Sequence, residues 1–423
     1  MFGVNVVVNI IDISENYAEA FAKNHKTSYQ RAFQYVASFP PSTPAIFINM
    51  YSKEGDVVLD PFSGKGTCPL QALVMNRVGI GNDMSKVAYT YTYSRVHSIP
   101  FNEILESIEE LKRNTRDIVV NPYNYEALLY MYHFDTLMDI IRVREYLMDK
   151  YDDKSMFLKA HICGILYGSS PMDLTNGLPG VIPLNLSSIK KHVVNYKDKP
   201  VYKDLFVCLK DKIKYAMRTG VPRNEGKVFC GNVLDLSKKM DKDSVNLVVT
   251  SPPYVDLVTY GEVTWIMQWF LGEDYRVYDK KTKDVGSCSG VEESYFSLMK
   301  KTLELMYELL KDNSVCVFVV GGSRSKVDKL GVFDIPMKFI KVGREVGFNI
   351  DELYTREFRS SVRSIFKKEI RESKGINYQD VLLIFKKGEP KCYMPFLEAI
   401  NYGIRNIEDL DKFADINLEE LEL

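Results

Sequence analysis

A Ser-Pro-Pro-Tyr motif, Ser251 to Tyr254, follows directly on a run of apolar and β-branched residues. Two consecutive prolines end strand pairing and make a rigid turn, because proline lacks a backbone N–H and has a fixed φ. We expect this turn to present two hydrogen-bond acceptors, the Ser251 hydroxyl and the Pro252 carbonyl oxygen. An exocyclic amino group of a nucleobase is a weak nucleophile because its lone pair is delocalised into the ring. Two acceptors on its hydrogens favour a pyramidal, reactive nitrogen, so the motif predicts a site for such a group, with Tyr254 stacked on the base.

A glycine-rich segment, "DPFSGKGT", begins at Asp60 after a predicted strand. Gly64 and Gly66 let the backbone approach a ligand at the carboxyl edge of a parallel sheet, and their spacing is not that of a Walker A loop. Asp83 and Asp235 end two further predicted strand segments. Because carboxylates accept hydrogen bonds from hydroxyl and amino groups and repel phosphate, three such acids predict a nucleoside-type cofactor. Helix N-capping is the alternative role for each acid.

Predicted strands alternate with predicted helices in two zones, 39–95 and 228–387, and this alternation predicts a mostly parallel, doubly wound α/β sheet. Between these zones apolar residues recur at helical spacing, for example over 128–149, which predicts a largely helical insertion. The predicted divisions are an N-terminal extension (1–24), a first catalytic part that binds the cofactor (25–95), the helical insertion (96–225), a second catalytic part (226–390) and a C-terminal tail (391–423).

Composition excludes several classes of function. With a net charge of −1 the chain is not a bulk polycation, so binding of nucleic acid requires basic residues concentrated on one face. Seven cysteines without a CxxC pair and five histidines without metal-ligand spacing predict free thiols, a reducing compartment and no metal site. No apolar run approaches the roughly 18 residues of a membrane helix, and we find no export signal, so a cytoplasmic location is predicted.

Together, "DPFSGKGT" and "TSPPY" resemble the motifs of the S-adenosylmethionine-dependent DNA amino-methyltransferases, which methylate cytosine N4 or adenine N6. The segments "FPPSTPAIFINMYSKEGDVVL", "IGNDMSKVAYTYTYSRV" and "VDLVTYGEVTWIMQWFLG" also resemble this family, and the similarity covers roughly residues 25–390. The cofactor motif precedes the catalytic motif here, whereas many cytosine-N4 enzymes have the reverse order. The resemblance implies a Rossmann-like methyltransferase sheet and S-adenosyl-L-methionine as the cofactor.

The resemblance also implies roles for individual residues. Asp83 would bind the ribose hydroxyls of the cofactor and Asp235 its adenine amino group. The methionine side would be lined by the glycine-rich segment and the residues upstream of it, namely Phe39, Pro40, Asp60, Pro61, Phe62, Gly64, Gly66 and Thr67. The methyl-acceptor pocket would consist of Ser251, Pro252, Pro253 and Tyr254.

Serine at the first position of the tetrapeptide is usual in cytosine-N4 enzymes, whereas adenine-N6 enzymes more often carry Asp or Asn. The expected function is therefore methylation of N4 of a flipped cytosine in double-stranded DNA. Its expected setting is a restriction–modification system with a cognate restriction endonuclease as functional partner. Adenine-N6 methylation is the nearest alternative. An RNA or protein-amide methyltransferase and a catalytically silent DNA-binding protein are further alternatives.

The region that reads the target sequence cannot be located by simple analogy, because the motif order differs from that of many relatives. We hypothesise that the helical insertion reads DNA, with 176–192 as a contact loop and Lys190 and Lys191 near phosphates. The insertion is large and lies between the two motifs, which is the reason for this choice. A helical lid or a dimer face is the alternative role.

Overall fold

The computed structural model of the 423-residue chain describes residues 9–12, 28–35, 38–175, 178, 183–196, 200–222, 224–253, 260–286, 292–321, 334–357 and 379–399. These residues form one eight-stranded sheet, with helices packed against it and a helical layer beside it. The mostly parallel, doubly wound α/β sheet that the sequence predicted is confirmed.

The strands of the sheet have the following bounds: β1 Asn9–Asp12, β2 Val57–Asp60, β3 Val78–Asp83, β4 Lys227–Cys230, β5 Val245–Thr250, β6 Leu310–Gly321, β7 Glu352–Glu357 and β8 Gln379–Lys387. Their spatial order is β1-β7-β8-β6-β5-β2-β3-β4. Neighbouring strands are parallel except that β8 is antiparallel to both β6 and β7.

The helices have the following bounds: α1 Ser42–Tyr51, α2 Thr67–Val74, α3 Lys86–Val96, α4 Phe101–Thr115, α5 Phe134–Leu147, α6 Asp153–Cys163, α7 Leu186–Tyr196, α8 Leu205–Met217, α9 Tyr260–Val263, α10 Trp265–Phe270, α11 Tyr275–Asp284, α12 Glu292–Leu309 and α13 Asp334–Val346. Three 3₁₀ segments accompany them at Tyr29–Arg31, Pro122–Tyr130 and Val233–Lys238. Among the described residues, no helix is long and apolar enough to cross a membrane.

The central strands are buried on both faces, which explains why their sequences are continuously apolar. Side chains alternate between the two faces of a strand, so Val58 and Val249 pack in one apolar cluster and Leu59 and Val248 in another. All four side chains are fully buried. Helices α1 and α2 contribute to the first cluster, and α12 and α13 to the second.

The direction of chain progression through the sheet reverses between β2 and β5. From β2 the chain continues outward through β3 to β4, and on the other side of β2 it continues from β5 to β6. Ligands of open α/β sheets bind at the carboxyl ends of the strands where such a reversal occurs. The glycine-rich segment follows β2 and the Ser-Pro-Pro-Tyr motif follows β5, so the sheet brings these two sequence motifs to one edge.

Between β3 and β4 the described residues are largely helical, and the apolar residues of α4 recur at helical spacing. Its buried side chains include Phe101, Ile104, Ile108 and Leu111, which share one face at helical spacing. The single helix predicted over 128–149 is wrong, because a 3₁₀ segment ends at Tyr130 and α5 begins only at Phe134. His133 accounts for the break, since its ψ of 150° is not helical and its Nδ1 accepts a hydrogen bond from Asp135 N.

The described parts of both termini contact the sheet. Strand β1, in the predicted N-terminal extension, pairs in parallel with β7 at the edge of the sheet. At the start of the predicted tail, Tyr393 N donates a 2.8 Å hydrogen bond to Met50 O, and the Phe396 ring stacks on Tyr354. The division into an extension, two catalytic parts, an insertion and a tail stays a prediction.

Candidate active site

A cavity lies at the carboxyl edge of the sheet, next to the ends of β2, β3, β4 and β5. Of the residues that the sequence assigned to the site, the cavity is lined by Phe39, Asp60, Phe62, Gly64, Thr67, Asp83, Ser251 and Pro253. The remaining lining residues are Tyr35, Ser38, Ser63, Asn82, Met84, Gly231, Asn232, Val233, Tyr260, Tyr278, Thr282, Val285 and Leu298. The structure therefore brings residues of both motifs to one cavity. Pro40, Pro61, Gly66, Asp235 and Pro252 are not among its lining residues.

The backbone of the glycine-rich segment requires glycine at two positions. Gly64 and Gly66 have φ values of +52° and +78°, in the left-handed region that favours glycine. A Cβ on Gly66 would also lie 2.9 Å from both the Cα and the Oγ1 of Thr92 on α3. Gly66 therefore lets the start of α2 approach α3, while Gly64 contributes directly to the cavity wall.

Asp60 is the last residue of β2, and its side chain is 1% exposed. Its Oδ1 accepts a 2.6 Å hydrogen bond from the Thr250 hydroxyl and a 3.2 Å hydrogen bond from Phe62 N. Burial raises the pKa of Asp60 from 3.8 to about 7, although these hydrogen bonds act in the opposite direction. A group that titrates near neutral pH on a cavity wall is a candidate functional residue.

Asp83 ends β3 and accepts two backbone hydrogen bonds. Gly64 N donates to its Oδ2 and Ser85 N to its Oδ1, both at 2.9 Å. Burial raises the pKa of Asp83 from 3.8 to about 6. Ser85, and not Asp83, is the N-cap of α3, since its Oγ accepts from Ala88 N. The carboxylate thus orders the glycine-rich segment while it faces the cavity.

Asp235 is not among the residues that line the cavity. Its side chain is 45% exposed and forms a 3.0 Å ion pair with Lys238. Asn232, three residues earlier, lines the cavity and caps the 3₁₀ segment, because its Oδ1 accepts from Leu234 N. The adenine-binding role of Asp235 stays a prediction, and Asn232 is a second candidate for the same position.

On the acceptor side, Ser251 and Pro253 line the cavity and Pro252 is buried behind them. Tyr254, predicted to stack on the base, lies outside the described residues. Two other tyrosines, Tyr35 and Tyr260, line the cavity. The Tyr35 and Tyr260 rings are 6.4 Å apart between centroids, with planes inclined by only 21°.

Sequence reasoning missed several residues of this cavity, among them Asn232, Tyr35 and Tyr278. Tyr35 precedes the first segment quoted for the family resemblance, which begins at Phe39. Tyr278 lies on α11, 24 residues after the end of the Ser-Pro-Pro-Tyr motif. An aromatic-rich stretch such as "SYQRAFQYV" is the only sequence signal for Tyr35. Among the described residues, no group of three or more His, Cys, Asp or Glu side chains could hold a metal ion.

Comparison with known proteins gives matches to parts of the chain. Residues 12–94 match the family model N6_N4_Mtase, described as DNA methylase. The orphan methyltransferase M.BamHII of Bacillus amyloliquefaciens is 46% identical over 55 residues, which are 13% of this chain and 21% of that protein. The type II methyltransferase M.MjaI of Methanocaldococcus jannaschii is 39% identical over 61 residues, 14% of this chain and 20% of that protein. The chain thus matches about a fifth of the length of each relative.

Solved structures that were matched over most of the chain include a geranyl diphosphate methyltransferase in complex with GPP and sinefungin. It has 9% sequence identity and a TM-score of 0.33, over 91% of this chain and 90% of that one. An arsenic(III) S-adenosylmethionine methyltransferase from Chlamydomonas reinhardtii has 12% identity and a TM-score of 0.31, over 84% and 75% of the two chains. The family model supports a relationship to DNA methylases over residues 12–94, which contain the glycine-rich segment.

Proposed function

We propose that this protein is an S-adenosylmethionine-dependent DNA methyltransferase that acts on an exocyclic amino group. The observation that carries the proposal is the single cavity lined by both Asp60 and Asp83 on one side and by Ser251 and Pro253 on the other. The similarity to DNA methylases over residues 12–94 supports DNA as the substrate. The matched part is a small share of each relative. The activity and the substrate of this protein as a whole are therefore proposals.

The side chains around the cavity fit the proposed cofactor. Ionised carboxylates at Asp60 and Asp83 suit a ligand that carries positive charge and hydroxyl groups. Apolar side chains such as Phe62, Met84 and Val233 suit a flat purine ring. When bound, S-adenosylmethionine supplies a methyl group attached to a positively charged sulfur. Asn232 and Asp235 are the two candidates to accept a hydrogen bond from the adenine amino group.

The residues of the acceptor side would hold the amino group that is methylated. The Ser251 hydroxyl and the Pro252 carbonyl oxygen would accept its two hydrogens and so favour a pyramidal nitrogen. Tyr254 would stack on the ring, which must leave the duplex to reach the cavity. A general base is not essential, because the methylated amino group becomes acidic and can lose its proton to solvent.

We propose N4 of cytosine as the methylated atom, because Ser251 stands at the first position of the tetrapeptide. Adenine N6 is the second candidate, because the name of the matching family model includes both N6 and N4 and so does not decide between them. The two candidates share the same acceptor chemistry and differ only in recognition of the ring.

The cellular setting of the reaction is proposed from the sequence alone. The protein would act in the cytoplasm within a restriction–modification system, with a cognate restriction endonuclease as its functional partner. The helical insertion would read the DNA sequence. Within the predicted contact loop, residues 186–192 belong to helix α7, so the prediction of a loop is wrong there. Lys190 lies on this helix, and its Nζ is 4.8 Å from the centroid of the Tyr130 ring. An insert-swapped chimera that kept the specificity of the parent would contradict this role.

Transfer of a radiolabelled methyl group from S-adenosylmethionine to purified substrates tests the proposal in vitro. We expect label in unmethylated double-stranded DNA and none in RNA or in protein extract, and we expect Ser251→Ala to reduce incorporation by about a hundredfold or more. Label that enters only RNA or protein would contradict DNA as the substrate. Equal incorporation by wild type and Ser251→Ala would contradict the proposed acceptor pocket.

A further inference from the structure

The carboxylate of Asp279 on α11 holds the beginning of helix α9. Its Oδ1 accepts a 2.8 Å hydrogen bond from Gly261 N. Gly261 N is a backbone donor of the first turn of α9 and has no partner within the helix. Helix α9 has only four residues, so it depends on this external acceptor more than a long helix would.

Gly261 makes this contact geometrically feasible. A Cβ at position 261 would lie 2.4 Å from Oδ1 and 2.5 Å from Cγ of Asp279. Real side chains do not approach so closely, so the carboxylate occupies the space that any residue other than glycine would need. The φ of Gly261 lies outside the left-handed region, and the close approach alone accounts for the glycine.

Helices α9 and α11 both contribute to the cavity wall. Tyr260, the first residue of α9, lines the cavity close to Tyr35. Tyr278 and Thr282 on α11 also line it, and their i,i+4 spacing places them on one face of that helix. Asp279 immediately follows Tyr278, so one helix provides part of the wall and also fixes the helix that carries Tyr260.

We propose that Asp279 is a positioning residue that fixes Tyr260 on the wall of the methyl-acceptor part of the cavity. The inference rests on the proposed function, since the ring of Tyr260 would then contact the flipped base. Charged groups near Asp279 are Lys283 on its own helix and Glu262 on α9, and neither replaces it as the acceptor for Gly261 N. Loss of Asp279 should therefore displace Tyr260 while the cofactor side, built on β2 and β3, stays in place.

Hydrogen–deuterium exchange combined with kinetics of methyl transfer tests this role on the full chain. For Asp279→Ala, we expect exchange of the amides in 260–263 to accelerate by about tenfold or more, because a charge-assisted hydrogen bond is lost. We expect kcat on DNA to fall by about ten- to a hundredfold, with the cofactor Kd changed by less than about threefold. Asp279→Asn retains one acceptor oxygen and should restore part of both properties.

Asp274→Ala is the matched control. Asp274 caps the same helix by accepting from Arg276 N, but it does not line the cavity. This variant should weaken the start of α11 while leaving kcat and the exchange of 260–263 near wild-type values. Equal losses of kcat in both variants would show that Asp279 only stabilises helix α11 and does not position Tyr260. An unchanged kcat in Asp279→Ala would overturn the inference.

The two readouts separate this inference from the proposed function. Exchange at 260–263 reports the contact with Asp279 whether or not the protein methylates DNA. Unchanged exchange in Asp279→Ala would overturn the contact itself, even in an active enzyme. Accelerated exchange in a protein whose wild type transfers no methyl group would overturn the proposed function and, with it, the positioning role.

Discussion

The hydroxyl of Thr250 donates a 2.6 Å hydrogen bond to Oδ1 of Asp60, and this bond joins the last residue of β5 to the last residue of β2. Both side chains are buried, with exposed fractions of 0% and 1%. Asp60 begins the glycine-rich segment and Thr250 immediately precedes Ser251. One buried hydrogen bond therefore connects the two sequence motifs at the point where the chain reverses its direction through the sheet.

Replacing Thr250 by Val should destabilise the protein. The substitution keeps the shape of the side chain but removes a donor from a buried carboxylate, which costs about 1–3 kcal/mol. Urea denaturation at pH 8, where Asp60 is mostly ionised, measures this loss. Thr250→Ser keeps the donor and serves as the control, so an equal loss of stability in both variants would contradict the role of the hydrogen bond.

Replacing Asp60 by Asn should change how stability depends on pH. The pKa of Asp60 is raised from 3.8 to about 7, so the unfolded chain releases this proton at lower pH than the folded protein does. The associated cost to the folded state is absent below about pH 4, grows between about pH 4 and 7, and is constant above. Asn carries no such cost.

The stability of Asp60→Asn relative to wild type should therefore increase from pH 4.5 to pH 8, by about 2–4 kcal/mol. Denaturant unfolding at several pH values measures this difference. The variant should at the same time bind the proposed cofactor more weakly, because the carboxylate is lost. A difference in unfolding free energy that stays constant across this range would contradict the raised pKa of Asp60.

Two glycines allow the steric contact at the glycine-rich segment to be measured. Gly55 and Gly66 have nearly equal φ values, +83° and +78°, but a Cβ on Gly55 would meet nothing within 4 Å. Gly55→Ala therefore reports the cost of the left-handed backbone alone, of about 1 kcal/mol. Gly66→Ala adds the 2.9 Å contact with Thr92 and should cost about 1–3 kcal/mol more. Equal costs in denaturant unfolding would show that α3 adapts without penalty.

Asn232 and Asp235 offer alternative assignments for the end of the cofactor site. Because Asn232 lines the cavity and Asp235 forms an exposed ion pair, we expect Asn232→Ala to raise the cofactor Kd by about tenfold. Asp235→Ala should change it by less than about twofold. Isothermal titration calorimetry with S-adenosylmethionine compares the two variants. A larger effect of Asp235→Ala would support the assignment made from the sequence.

The sequence predicted local features of this protein well. The segment from β2 through α2 to β3 follows from apolar runs and glycine spacing within some thirty residues, and the buried face of α4 follows from its periodicity. Tertiary relationships were not predictable in this way. The contact of Thr250 with Asp60 depends on which strands are neighbours, and the contact of Asp279 with Gly261 depends on how two helices pack.

In the candidate site, too, local motifs were predictable from the sequence and tertiary relationships were not. The residues of the two motifs were predicted by type and spacing, and most of those that the structure describes line one cavity. Asn232 was missed because the path of the chain after β4 decides which polar side chain faces the cavity, and no local pattern distinguishes it from Asp235. Tyr35, Tyr260 and Tyr278 were missed because the sequence pattern does not distinguish aromatic residues of a cavity wall from aromatic residues of the core.

The most direct test is nucleoside mass spectrometry on DNA from a host that lacks its own methyltransferases and expresses this protein or its Tyr254→Ala variant. Our account predicts N4-methylcytosine in DNA from cells with the wild-type protein and none with the variant. N6-methyladenine in its place would retain the acceptor chemistry and contradict the choice of base. DNA without any methylated amino group, from cells that contain the folded wild-type protein, would contradict the account.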